Sequence, residues 1–347
     1  MTKEIVTGAV KKEILRTGYL GRHTTLSYLS HRKQIWRQIP YLRENEGRAP
    51  PIVLAVGDRR RVYSISRRLK KAVLLPETAA RLVCRRDFRS AHEFGRTAMA
   101  IGLVSSIPIL VIETQMGSPA TQIIMNEALS DDLTCLDYRV GRNRIGLSHK
   151  IVIRVGTAGG INCEGKRPVN VGDIVVATHS IGISGANLQS LHCLDFWRPT
   201  ATEKFKESWT SMGDDFTLTQ AGHPRVNCSK DVISALGKAA QTLAEKQYQS
   251  GGNITKDSLY AEASADMFLD LCQTENCRTT EMEFSAIAVA AHEHDTHFGM
   301  VSAIVGVLPG DSFTGSEKMK TIAEQRAILV SLDAVRRLSQ LETPKLR

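Results

Sequence analysis

A single arginine, Arg154, stands inside an otherwise apolar run and demands a chemical explanation. Residues 151–155 read Ile-Val-Ile-Arg-Val, and a stretch of glycines with Thr157 follows. Short apolar runs bounded by glycine are typical of strands buried in a parallel sheet, where a charge is costly unless an anion or carboxylate satisfies it. We predict a buried strand here and then a loop whose hydroxyl and backbone N–H groups hold an anion together with Arg154. The alternative is an ordinary strand and turn in which Arg154 forms a structural ion pair.

A second basic group follows another apolar run. Residues 52–56 form a strand-like segment that delivers Gly57 and, four residues later, Arg61. Open parallel sheets bind ligands at the carboxyl ends of their strands, and a glycine N–H combined with a guanidinium fork is suited to an anion. The alternative is that this basic run only forms a solvated surface.

Two carboxylates, Glu281 and Glu283, flank Met282 at the start of an apolar segment. We predict a helix over 281–292, on which residues two apart point to different sides and cannot both face solvent. A carboxylate at a helix N-terminus is also stabilised by the helix dipole, so the alternative is that both glutamates only cap the helix. The histidines at 292, 294 and 297 lack ordered metal spacing and are predicted to lie at the surface.

The elements that must position these side chains alternate along the chain. Residues 107–112 form an apolar run, a loop containing Met116 and Gly117 follows, and 120–129 has helical propensity after its proline. The other predicted elements are a turn and strand at 171–178, helices at 231–247 and 265–272, a strand at 301–307 and an amphipathic helix at 317–341. Alternating strands and helices predict an α/β fold. We predict a basic N-terminal arm at 1–50 and a single domain over 51–347.

Composition excludes several classes of protein. The 347 residues are 42% apolar and 23% charged, as in globular proteins. Seven scattered cysteines without a CxxC pair argue for reduced thiols and against a disulfide framework or zinc site. No apolar run approaches the roughly 18 residues needed to span a bilayer, and no signal-peptide core is present, so we expect a cytoplasmic protein. The alternative is that the basic N-terminus directs the protein to an organelle. The net charge of +9 fits an anionic substrate, nucleic acid or an acidic partner surface equally well.

Four motifs occur in an order and at a spacing that resemble one known family. They are Gly-Asp-x-x-Arg at 57–61, Met-Gly-x-Pro at 116–119, Arg-Val-Gly-Thr-x-Gly-Gly at 154–160 and Glu-Met-Glu at 281–283. Together they resemble the nucleoside phosphorylase superfamily of uridine phosphorylases and hexameric-type purine nucleoside phosphorylases. The resemblance covers about residues 52–341 and implies an α/β/α domain whose central mixed, largely parallel sheet is flanked by helices. It also implies cleavage of a nucleoside's N-glycosidic bond by phosphate, giving free base and ribose 1-phosphate.

The resemblance assigns roles to individual residues, and Arg154 and Glu283 are the implied catalytic pair. The implied phosphate ligands are Gly57, Arg61, Arg154, Thr157 and, from a neighbouring subunit, Arg86. The implied ribose ligands are Met282, Glu283 and Glu281. The implied lining of the base pocket is Leu259, Tyr260 and Val307. Inorganic phosphate is the co-substrate, and the chemistry requires no metal and no cofactor. The implied partners are the nucleoside and further copies of the chain in a homodimer or higher oligomer, with no nucleic acid and no membrane.

The base pocket departs from both subfamilies. The glutamine and arginine of uridine phosphorylases correspond here to Ala263 and Ala265, and the short segment over 260–281 resembles the purine enzymes. The aspartate that purine enzymes carry after the last strand is absent at 306–308, although Asp311 follows. We therefore expect weak discrimination between bases. The residues at 86–88 and 157–160 favour uridine. The alternatives are a purine nucleoside, or a catalytically weak member that serves as a structural or regulatory subunit.

Overall fold

The computed structural model of the chain describes residues 50–75, 97–129, 139–140, 143–144, 150–182, 207, 209–220, 222–257, 265–308 and 316–340. Within these residues the strands are β1 (Ile52–Val56), β2 (Lys70–Leu75), β3 (Met99–Val104), β4 (Ile107–Glu113), β5 (Arg139–Val140), β6 (Asn143–Arg144), β7 (Lys150–Ile161), β8 (Ile174–Ile181), β9 (Phe216–Leu218), β10 (Pro224–Asn227), β11 (Tyr248–Thr255), β12 (Cys277–Glu281) and β13 (Thr296–Leu308). The α-helices are α1 (Arg59–Ser66), α2 (Ser118–Leu129), α3 (Lys230–Leu243), α4 (Ala265–Thr274), α5 (Phe284–Glu293) and α6 (Glu317–Leu338). None of these helices has the length and apolarity needed to cross a membrane. The predicted arm at 1–50 lies outside the described residues except for its last residue.

Eleven of the strands form one mixed sheet around the long strand β7, while β5 and β6 pair only with each other. The order β2-β3-β4-β1-β7-β12-β11-β8-β10-β9 runs across the sheet, and β13 pairs with both β7 and β8. Strands β4, β1, β7 and β13 are parallel to their neighbours in that series, so their carboxyl ends meet at one edge. The predicted mixed sheet is confirmed. Antiparallel pairs are more numerous than the sequence indicated, because hairpin-like strands close both margins and β12 runs opposite to β7.

Helices cover both faces of this sheet. In β1, Val53 and Ala55 join a core cluster with α2 and α5, whereas Ile52, Leu54 and Val56 join a second cluster with α1, α3 and α6. That alternation has the period of two expected of a strand buried on both faces. It confirms the α/β architecture with flanking helices and explains why this apolar run contains no polar residue.

The predicted loop at 156–161 is wrong, because β7 continues through it as a strand. β13 pairs with β7 in parallel along this whole length. A β-carbon added at Gly160 would stand 2.6 Å from a methyl group of Val169 and 3.0 Å from one of Ile304. The glycine therefore permits close packing across the sheet and does not mark a turn, a distinction that composition alone does not make.

The helices differ from their predicted bounds by up to four residues. α3 ends at Leu243, and a 3₁₀ turn (Glu245–Gln247) leads into β11, a strand that the sequence did not predict because it is rich in polar residues and glycine. α5 begins at Phe284, since Glu281 ends β12. The other predicted strands and helices are present, and the inward face of α6 is buried as far as Leu338.

Candidate active site

A cavity of about 430 Å³ opens where β1, β4, β12 and β13 end, alongside the C-terminal half of β7. Its volume lies in the range of small-molecule sites. The residues that the sequence singled out and the structure brings together here are Gly57, Arg61, Arg154, Thr157, Glu281, Met282, Glu283 and Val307. The predicted site residues Arg86, Leu259 and Tyr260 lie outside the described residues, as do Ala263 and Asp311.

Arg154 lies in the middle of β7 and is only 3% exposed. Its Nη2 donates to Oε2 of Glu283 at 2.5 Å, and its Nε lies 3.8 Å from Oε2 of Glu281. Within the described residues, Nε and Nη1 of Arg154 are buried and have no hydrogen-bond partner. The structural ion pair of the alternative interpretation is therefore present, but it satisfies only part of the guanidinium. The remaining N–H groups are unsatisfied hydrogen-bond donors, and a bound anion would supply their acceptor.

Gly57 and Arg61 approach Arg154 just beyond the end of β1. A β-carbon added at Gly57 would lie 3.5 Å from both terminal nitrogens of Arg154 and 3.9 Å from Nη1 of Arg61. Arg61, in the first turn of α1, donates to a backbone carbonyl of β7 at 3.3 Å and pairs with Asp58 (3.1 Å) and Glu324 (3.5 Å). Burial lowers the pKa of Arg61, and the neighbouring Arg154 charge lowers it as well, against the two carboxylates. Gly57, Arg61 and Arg154, here named the arginine end of the cavity, thus form a site that favours an anion.

Glu283 lies buried at the N-terminus of α5, and its side chain does not cap that helix. Instead Oε2 accepts from Arg154, and Oε1 accepts from the backbone N–H of Gly117 at 2.8 Å. The hydroxyl of Ser118 donates to the carbonyl of Met282, also at 2.8 Å. The Met-Gly loop after β4 is therefore fastened to the Glu-Met-Glu segment 164 residues away in the sequence, and the two motifs form one wall.

Glu281 has the role that the capping alternative predicted. Its carboxylate accepts from the backbone N–H groups of Glu283 and Phe284 (2.9 Å each) and from the side chains of Asn253 (3.0 Å) and Thr255 (2.8 Å). Burial, and after it the Glu283 charge, raises the pKa of Glu281. Four donors fix this carboxylate, so it holds the start of α5 and thereby the position of Glu283.

The opposite part of the cavity is built differently. Its lining there, named the far end, is Thr280, Val305, Gly306, Val307 and Leu308. Thr280 lies opposite Gly159 of β7, which is five residues along the strand from Arg154. Thr157 lines the cavity between the two ends. The far end presents backbone and aliphatic groups, and the hydroxyl oxygen of Thr280 is buried there without a hydrogen-bond partner among the described residues.

Sequence reasoning missed several residues of the cavity wall. Gln115 and Met116 line it directly after β4, and Lys256 lines it directly after β11. The rule that ligands bind at the carboxyl ends of strands, applied to β4 as it was to β1, would have found the first two. Lys256 had no such signal, because β11 itself was not predicted.

The histidines predicted at the surface lie away from this cavity. His292 and His297 are exposed and line a second cavity of about 240 Å³, while His294 is half-buried, with Nε2 3.1 Å from Oδ1 of Asn126. Across the described ranges, no group of three or more His, Cys, Asp or Glu side chains is placed to hold a metal ion.

A model of the phosphorylase superfamily matches residues 72–336. The chain is similar in structure to a purine nucleoside phosphorylase from Toxoplasma gondii in complex with immucillin-H, with 19% identity, a TM-score of 0.55, and coverage of 84% of this chain and 92% of that one. It is also similar to a uridine phosphorylase from Vibrio fischeri ES114 complexed with 6-hydroxy-1-naphthoic acid, with 15% identity, a TM-score of 0.54, and coverage of 84% and 93%. No curated protein sequence matches it. Because the family match spans most of its length, and two solved phosphorylase structures share its fold, the chain belongs to the phosphorylase superfamily.

Proposed function

We propose that the protein is a nucleoside phosphorylase, which cleaves a nucleoside's N-glycosidic bond with inorganic phosphate, and that uridine is its preferred substrate. The observation that carries the proposal is the direct pairing of Arg154 with Glu283 inside the cavity. This pair places an anion-binding cation beside a carboxylate that suits a sugar diol. Phosphate and ribose would then occupy neighbouring subsites, as the reaction requires.

The arginine end is proposed to hold the phosphate. Two guanidinium groups approach the same backbone position, Gly57, and both have buried N–H groups without an acceptor among the described residues. Fixed donors of this kind bind a dianion through charge-assisted hydrogen bonds, which are roughly twice as strong as neutral ones. Thr157 adds a hydroxyl from the same strand as Arg154. In this proposal Arg86 of a neighbouring subunit completes the set.

Glu283 is proposed to hold the ribose. A carboxylate offers about four acceptor directions, and Gly117 and Arg154 use two of them. The other two suit the 2′ and 3′ hydroxyl groups of a ribose. Because Arg154 and Gly117 hold the carboxylate from two sides, little reorganisation is needed when the sugar binds.

The proposed reaction follows from these positions. A phosphate oxygen forms a bond to C1′ while the bond from C1′ to the base nitrogen breaks, and the electron pair of that bond leaves with the base. Positive charge develops on the ribose ring in the transition state. The bound phosphate and the Glu283 carboxylate stabilise it electrostatically. The base then takes up a proton from solvent, giving free base and ribose 1-phosphate.

The identity of the base rests on sequence motifs. The residues at 86–88 and 157–160 resemble uridine phosphorylases, which favours uridine. A purine nucleoside is the second candidate, because the short segment over 260–281 resembles the purine enzymes.

The test is release of base from uridine, thymidine, inosine and adenosine, each with and without phosphate. Phosphate-dependent release from uridine with formation of ribose 1-phosphate would support the proposal. Faster turnover of inosine or adenosine would show that a purine nucleoside, and not uridine, is the preferred substrate. Formation of free ribose without phosphate would mean hydrolysis, and turnover of none would favour a structural or regulatory subunit.

We also propose that the protein acts as a cytoplasmic homodimer with two composite sites, since Arg86 would reach the phosphate of its neighbour. A two-fold interface repeats every contact, so both sites gain an arginine together. Mixing inactive Arg86→Ala chains with inactive Glu283→Ala chains should restore part of the activity, because a mixed dimer contains one intact site. A lack of recovery after verified subunit exchange would show that each subunit builds its site alone.

A further inference from the structure

Gln115 occupies a strained backbone position in the wall of the cavity. Its φ is +62°, in the left-handed region that residues other than glycine adopt at a cost in free energy. Such strain persists where the surrounding structure enforces it, and it is concentrated at functional sites. Among the described residues, the carboxamide of Gln115 forms no hydrogen bond with the protein. The backbone conformation of Gln115 therefore costs free energy that no side-chain hydrogen bond to the described residues offsets.

The neighbours of Gln115 hold it between the two proposed subsites. On one side the backbone N–H of Thr114 donates to the carbonyl of Val56 at 2.7 Å, which places Gln115 beside the arginine end. On the other side the backbone N–H of Gly117 donates to Glu283 at 2.8 Å. A residue fastened at both flanks has little freedom to leave the cavity wall. Its side chain is neutral, so it can stand beside the arginines and Glu283 without repelling either.

We propose that Gln115 is a phosphate ligand, whose Nε2 donates a hydrogen bond to a phosphate oxygen that faces the ribose subsite. The assignment rests on the proposed function. It gives the strained backbone a function, because Gln115 lines the cavity next to the hydrogen bond that joins Thr114 to Val56, the residue before Gly57. It also adds a donor to the arginine end on the side where Arg154 is occupied by Glu283.

The experiment measures the affinity for inorganic phosphate by calorimetry and the phosphate dependence of base release, in the same variants. Gln115→Ala should weaken phosphate binding about tenfold or more, as expected for loss of one hydrogen bond to a charged group. Gln115→Glu has nearly the same shape but adds a negative charge, and should weaken phosphate binding by about a hundredfold or more. Arg154→Met serves as the reference for loss of the anion site.

Ser105 supplies the matched control. Its φ is +59°, it is exposed in the turn between β3 and β4, and it does not line the cavity. At both positions the glycine variant should be more thermostable than the alanine variant, by about 2 °C in thermal midpoint, because glycine relieves the left-handed strain. Within helices, where the backbone is not left-handed, the alanine variant is more stable than the glycine variant. The Ser105 variants should keep normal phosphate affinity and turnover, whereas both Gln115 variants should lose them.

The outcomes separate this proposal from the function on which it rests. Normal phosphate affinity in Gln115→Ala and Gln115→Glu, with Arg154→Met defective, would overturn the assignment and leave the phosphorylase intact. A phosphate defect in the Ser105 variants would also overturn it, since strain alone would then explain the loss. If the unaltered protein bound no phosphate, the assignment and the proposed function would both fail.

Discussion

The arginine end of the cavity is made of charged side chains that come from distant parts of the sequence, whereas the far end is made of backbone and small side chains. At the arginine end, Arg154 and Arg61 are surrounded by Asp58, Glu283 and Glu324. At the far end, β13 pairs with β7, and Gly306 of β13 lies directly opposite Gly159 of β7. The structure of the arginine end depends on the identity of each charged residue. The structure of the far end depends on how closely β7 and β13 approach each other.

This difference has an energetic consequence. Buried ion pairs contribute little net stability, yet removal of one partner is costly because it leaves a charge without compensation. The arginine end therefore links function to stability, and a substitution there disturbs both. The far end contributes apolar contacts, whose loss costs less and is graded with the volume removed. Variants at the arginine end should accordingly lose both activity and stability, whereas variants at the far end should show smaller losses that follow the volume removed.

The largest effect is expected from Arg154→Met. It should lower kcat/KM at least a hundredfold, or about 3 kcal/mol, because it removes a contact that stabilises the transition state. It should also lower the free energy of unfolding by about 3 kcal/mol, since Glu283 is left buried without its partner. The double variant Arg154→Met/Glu283→Gln removes that uncompensated charge. We expect the double variant to recover much of the lost stability and none of the activity, measured by urea unfolding and by phosphate-dependent base release.

The matched double variant decides between the two interpretations of Arg154. If Arg154→Met kept normal turnover and phosphate affinity and lost only stability, Arg154 would be a structural ion pair. Recovery of activity together with stability in the double variant would lead to the same conclusion.

The contrast between the two ends also explains what could be predicted from the sequence. Arg154 was found because an arginine in an apolar strand is a local anomaly that one short stretch displays. The loop predicted at 156–161 was wrong, because whether a glycine bends a chain or admits a neighbouring strand depends on β13, which lies about 150 residues later. The left-handed backbone of Gln115 could not be predicted, because it is imposed by contacts of the neighbouring Thr114 with β1 and of Gly117 with Glu283. A chemical anomaly within one short stretch could thus be predicted from the sequence, whereas features that depend on contacts between distant strands could not.

At the far end we expect smaller and more uniform effects. Val307→Ala should lower kcat/KM by about tenfold at most, and by similar factors for uridine and inosine, because it removes apolar contact and no hydrogen bond. For the same reason the unaltered protein should turn over these two nucleosides within about a hundredfold of each other. Competition between them in one assay measures the ratio directly. A preference beyond roughly ten-thousandfold would show that polar groups read the base, and Thr280→Val would then test the hydroxyl at this end.

The smallest effect is expected from Glu324→Gln, at the margin of the arginine end. Glu324 is 3.5 Å from Arg61 and its side chain is 35% exposed, so solvent screens the pair. Arg61 keeps Asp58 at 3.1 Å and a backbone carbonyl at 3.3 Å, and its position should hold. Removing one negative charge near the anion site should then tighten phosphate binding by about threefold, less so at high salt. Calorimetric titration with phosphate at two salt concentrations measures the change. Weaker binding would mean instead that α6 positions Arg61 through Glu324, and that the arginine end depends on the C-terminal helix as well as on the sheet.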